Sequence, residues 1–212
     1  VTGYTGGGLN GNTNSGGGDL FLTKYYDNGT KQWTKQLGTS GGDFGENVTV
    51  DSSNNIYVTG FTGGGLDGNT NSGNEDIFLV KFYDNGTKQW TRQLGTSSWD
   101  QGRGVTVDSS DNIYVTGHTG LPGYTGGGMD GNTYSGGKDI FLVKYNSSGV
   151  KQWTKQLGTS QKDEGRGVTV DSSGNIYVTG STKGGLDGNT NSAGSSWDFF
   201  LVKYNSSGVK QW

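Results

Sequence analysis

One passage of sequence occurs four times in this chain, and that repetition limits the fold more than any single residue does. VTGYTGGGLNGNTNSGGGDLFLTKYYDNGTKQW starts at Val1, VTGFTGGGLDGNTNSGNEDIFLVKFYDNGTKQW at Val58, VTGHTG at Val115 and VTGSTKGGLDGNTNS at Val178. The spacings are 57, 57 and 63 residues, the last stretched by an insertion, LPGYTG, at Leu121 to Gly126. One unit has too little apolar surface to stand alone, so the copies must bury their faces against each other. Units 1–57, 58–114, 115–177 and a partial 178–212 therefore read as a single repeat domain over 1–212.

Each full unit accommodates four short strands. GVTVD (Gly104 to Asp108) alternates Val and Thr, and SSDN turns it into IYVTG (Ile113 to Gly117). A long Gly/Asn loop leads to DIFLVKY (Asp139 to Tyr145), and NSSG turns that into KQWTKQLG (Lys151 to Gly158). DNG at Asp27 to Gly29 and at Asp84 to Gly86 supplies the positive φ that tight hairpins need. No segment of ten residues carries helical apolar spacing. IFLV is apolar on both faces, as in a strand covered on both sides, whereas Trp153 and Leu157 share one face of an otherwise polar strand. A sheet with covered inner strands and a half-wet outer strand is a propeller blade. A parallel β-helix is excluded by the short hairpin turns. The expectation is an all-β chain, a β-propeller of tandem four-stranded antiparallel blades of about 57 residues.

At DSSGNIYVTGxT, GGxDIFLVKY, SSGVKQWTKQLG and GRGVTVD the sequence resembles the bacterial seven-bladed beta-propeller repeat family. That resemblance covers essentially the whole chain and implies a propeller fold and export to the cell surface or beyond. It implies no shared catalytic activity. Such rings usually hold more blades than three and a fraction. If GVTVD is innermost, the first blade lacks that strand and the last lacks most of its outer one. The array is thus expected to belong to a larger propeller, or to be completed by other copies.

Composition removes several function classes. Hydrophobics are only 28%, but aromatics reach 12% and the net charge is −3, so the chain reads as folded and Gly-rich, not disordered. Without a basic cluster no nucleic-acid partner is expected, and with apolar runs of at most four residues no membrane insertion. No Cys is present, and the only His, His118, lacks a Ser or Asp partner in the pattern of a triad. It reads as a surface residue, because Phe61 and Ser181 take its place elsewhere, and Asp163 with Glu164 reads as solvated charge. The chain is therefore expected not to be an enzyme.

Oxygen ligands recur at alternate positions of the long loop: Asp67, Asn69 and Asn71 with Asp76 to close the shell, Asp130 and Asn132 with Asp139, and Asp187, Asn189 and Asn191 with Asp198. Ca²⁺ prefers such donors in a Gly-rich turn, although the match to an EF-hand loop is partial. The other reading is that these Asx residues make a compact loop by bonding their own backbone. Trp33, Trp90, Trp153 and Trp212 recur so regularly that they read as packing between blades. Trp99, Tyr124, Tyr134 and Trp197 occupy loop positions that vary among copies and form the candidate glycan-binding surface. Asn-x-Ser/Thr sequons at Asn28, Asn85, Asn146 and Asn205 fall in one equivalent hairpin turn, with another at Asn47. Together these features point to a non-enzymatic extracellular or cell-surface scaffold or adhesion module whose partners are copies of itself or surface components. A lectin-like glycan binder is the alternative.

Overall fold

A computed structural model describes residues 1–192, 194 and 196–212. Among these described residues, fourteen strands form four antiparallel sheets in chain order. The first holds β1 (Thr2–Thr5), β2 (Asp19–Tyr25) and β3 (Lys31–Leu37). The second holds β4 (Asp43–Val50), β5 (Ile56–Thr62), β6 (Asp76–Phe82) and β7 (Lys88–Leu94). The third holds β8 (Asp100–Val107), β9 (Ile113–Thr119), β10 (Asp139–Tyr145) and β11 (Lys151–Leu157). The fourth holds β12 (Asp163–Val170), β13 (Ile176–Thr182) and β14 (Asp198–Tyr204). Each sheet is a meander, and each is a propeller blade.

The strand readings agree with the sequence, with one correction. The innermost strand starts four residues earlier than GVTVD, at Asp100, because a bulge between Gly102 and Gly104 re-registers it against β9. A polar, Gly-broken DQGR stretch carries no alternation to reveal it.

The cores lie between blades rather than inside them. Ile77, Leu79, Tyr57 and Trp90 of the second blade pack on Val105, Ile113, Phe141 and Tyr145 of the third. Tyr114, Ile140, Leu142 and Trp153 repeat this against Val178, Phe200 and Val202 of the fourth. Leu20, Leu22 and Trp33 do so against Val58, Phe78 and Val80 of the second. The recurrent Trp thus serves blade packing. It also receives the next blade's hairpin: at Gly149, φ is +75° and a Cβ would stand 3.0 Å from Trp90, so a side chain there would be strained and crowded.

Inter-blade burial explains the strand patterns. β6 is buried along its whole length, while β7 and β11 stay largely half-buried. In the fourth blade no described strand covers the outgoing face. Phe199 is 88% exposed there and Leu201 50%, whereas their equivalents Ile77, Ile140, Leu79 and Leu142 are at most 3% exposed.

Candidate functional site at the loop-bearing end

Antiparallel meanders send the long loops (β5 to β6, β9 to β10) and the blade-to-blade connections (β7 to β8, β11 to β12) to one end of the molecule. The hairpin turns with sequons lie at the other. There the side chains of Asn28 and Asn85 accept the N–H groups of Thr30 and Thr87, and those of Asn146 and Asn205 accept Ser148, Val150, Ser207 and Val209. These are Asx turns.

The long loop folds down onto the polar face of the outer strand. Leu66, Met129 and Leu186 are buried at its tip, and the next residue in each case, Asp67, Asp130 or Asp187, has positive φ. Asp67 then meets Lys88 and Thr91, Asp130 meets Lys151 and Thr154, and Asp187 meets Lys210. Asn69, Asn132 and Asn189 each donate to the carbonyl three residues back, Leu66, Met129 or Leu186. Asn71 and Asn191 donate to Gly73 and Ser196.

At the loop's far end, Asp76, Asp139 and Asp198 accept the N–H groups of Ser72, Ser135 and Ser192. Gln93 accepts the Leu66 N–H and donates to Gly64 and Asp76; Gln156 does the same for Met129, Gly127 and Asp139. The alternating Asx set is therefore spread along the loop, each member holding backbone or a lysine. No group of three His, Cys, Asp or Glu among the described residues is placed to share a metal ion.

The loop aromatics divide into two places. Tyr124, on the insertion, packs edge-on against Trp99 with centroids 4.8 Å apart, and Tyr134 donates its hydroxyl to Leu121 and Gly137 at 3.2 and 2.6 Å. The insertion thus brings three of the four together. Trp197 stands apart on the fourth blade, with Lys183 Nζ 5.1 Å from its ring centre.

Sequence reasoning missed a polar row where the copies diverge most. His118 is not on the surface: it lies in β9, 1% exposed, opposite Gln101 and Ile140. Burial above all, reinforced by Lys138, pushes its pKa down to about 3, so the ring is neutral, and its Nδ1 has no hydrogen-bond partner. Asp163 and Glu164 are buried as well. Burial opposes the Glu164 charge, but Lys138 at 2.7 Å and Arg166 at 2.6 Å outweigh it and hold the carboxyl below its usual range. Arg103 pairs with Glu46 of the preceding blade at 2.6 Å and lies 5.3 Å over the Phe61 ring. On the first two blades the same row is aromatic, with Tyr4 edge-on to Phe44 and Phe44 stacked on Phe61. The signal was present as variation: Phe44, Gln101 and Glu164 share one repeat position, as do Phe61, His118 and Ser181.

Comparison with known proteins fits this geometry. The model of a family described as a beta-propeller repeat, SBBP, matches residues 32–67, 89–120 and 152–187. These are SBBP-type beta-propeller repeats. Each match runs from an outer strand through the next blade's first two strands toward its long loop. The SBBP-type chain is also 28% identical to an uncharacterized WD repeat-containing protein of Acanthamoeba polyphaga mimivirus, over 85% of this chain and 16% of that protein. It is 27% identical to Regulatory protein FlaEY of Caulobacter vibrioides, over 94% of this chain and 23% of that protein. It thus spans less than a quarter of either relative. Among solved structures, a protein of unknown function from Bacteroides caccae aligns at TM-score 0.35 and 10% identity, covering 92% of this chain and 76% of its own.

Proposed function

We propose that this propeller is a non-enzymatic scaffold of the cell surface or exterior, continued at its open face by further blades of the same repeat. The observation that carries the reading is the outgoing face of the fourth blade. Phe199, Leu201 and Trp212 occupy the positions that elsewhere bury Ile77, Leu79 and Trp90 against a following blade, yet all three are exposed. A contiguous apolar patch of this kind calls for a partner. The surface that fits it is the incoming face of an SBBP-type blade, because three such junctions already exist in the molecule.

The scaffold reading is supported further by what occupies the polar row. His118 is neutral and buried, and Glu164 is tied to two cations, so neither is poised to transfer a proton to a substrate. Export and adhesion rest on the Gly-, Asn- and Thr-rich loops and on the family resemblance.

The test is Phe199→Ala in the native protein. If another blade covers Phe199, the variant loses about 3–5 kcal/mol of stability or dissociates from its partner copies. A change under about 0.5 kcal/mol with unaltered assembly would mean that the face is solvent-exposed and the reading is wrong.

A further inference from the structure

Three segments cross at every blade junction on the loop-bearing end, joined by three backbone hydrogen bonds, two of which fix the crossing residues. Between the first two blades, Asp43 N–H donates to Gly18 and Gly63 N–H to Gly42. Between the next two, Asp100 donates to Glu75 and Gly120 to Trp99. Between the last two, Asp163 donates to Lys138 at 2.8 Å and Lys183 to Lys162 at 2.8 Å. The crossing therefore sets three residues side by side: Gly18, Gly42 and Gly63, then Glu75, Trp99 and Gly120, then three lysines. Only the last crossing concentrates positive charge.

The three lysines differ in what they meet. Lys138 is neutralised by Glu164. Lys162 and Lys183 form no ion pair among the described residues, and both are half-buried. Around them lies a cavity of about 290 Å³ lined by Pro122, Gly123, Gly137, Ser160 and Gln161. Pro122 and Gly123 belong to the insertion found in this unit alone, so the wall is particular to this junction. Trp197 backs Lys183. Two lysines held side by side by main-chain bonding line this cavity with neutral hydrogen-bonding groups beside them, a combination suited to negative charge.

We propose that the junction between the third and fourth blades is an oxyanion-binding site, in which Lys162 and Lys183 grip a sulfate or carboxylate group, free or carried on a saccharide. It does not depend on how the open face is completed. The ammonium groups supply charge-assisted hydrogen bonds, and Ser160 and Gln161 are placed to bond neighbouring hydroxyls. Binding weakens with ionic strength, since the cavity is open to solvent.

Calorimetric titration of the intact protein at low ionic strength tests this with inorganic sulfate, a heparin oligosaccharide, an oligogalacturonate and neutral dextran. Saturable binding of at least one anion is expected, weakened about tenfold by Lys162→Gln and by Lys183→Gln. Lys155→Gln, on the outer strand, is expected to bind as the unaltered protein does, and all variants should keep the same unfolding midpoint. Tighter binding of a charged saccharide than of sulfate assigns the site to glycans; equal affinity assigns it to the free oxyanion. No saturable anion binding, dextran binding equal to that of the charged sugars, or affinity unchanged in both lysine variants would overturn the proposal.

Discussion

Asp100 is fully buried and accepts the Thr96 N–H at 2.6 Å and the Thr96 hydroxyl at 2.8 Å. Burial first, then the nearby Asp76, pushes its pKa up to about 6 in spite of those bonds. A folded-state value above the unfolded one means that the folded protein holds the proton more tightly. This contribution to stability is complete below about pH 4 and is lost as the pH rises through about 6. Urea unfolding at pH 4 and pH 7 should show the unaltered protein losing roughly 2 kcal/mol over that interval that Asp100→Asn does not lose. Identical pH dependence in the two proteins would contradict the assignment. Legibility at this scale was uneven. The caps at Asp76 and Asp139 could be inferred from their place before a strand in every unit. His118 could not, because a lone polar residue among Phe and Ser gives no sign of burial; what buries it is packing set by Gln101, Lys138 and Glu164, far off in sequence.

At the level of elements, strands two to four of each blade were legible because alternating β-branched residues and Asn-Gly or Asn-Ser turns mark them locally. The start of the first strand was not, since the bulge at Gly102 depends on pairing with β9. The long loop's conformation was equally hidden. KQWTKQL reads as half-wet, yet the polar face of β11 carries Gln156, whose amide fastens Met129, Gly127 and Asp139. Gln156→Ala removes all three bonds and strips the buried loop tip of its anchor. The expected loss is roughly 2–3 kcal/mol of unfolding free energy, with faster proteolytic nicking between residues 120 and 138. Unchanged stability and unchanged cleavage would show that the loop is held by other contacts.

Across the whole molecule, the repeat predicted blades and showed where the copies vary, but not which of the variable positions meet in space. Near-identical sequence produces near-identical junctions, and the copies depart from each other at the insertion at 121–126, the row through His118 and Glu164, and the lysine crossing. Those departures come together only when strands from different units pack. The same logic governs the open face, where Phe199 and Leu201 repeat residues that are core everywhere else. The most direct test of the account is the intact mass of the native protein together with its particle shape by electron microscopy. Rings or arrays of more than four blades are expected, built either within one longer polypeptide or from several copies. A stable, solitary particle of 22.3 kDa with four blades and an uncovered Phe199 would contradict it.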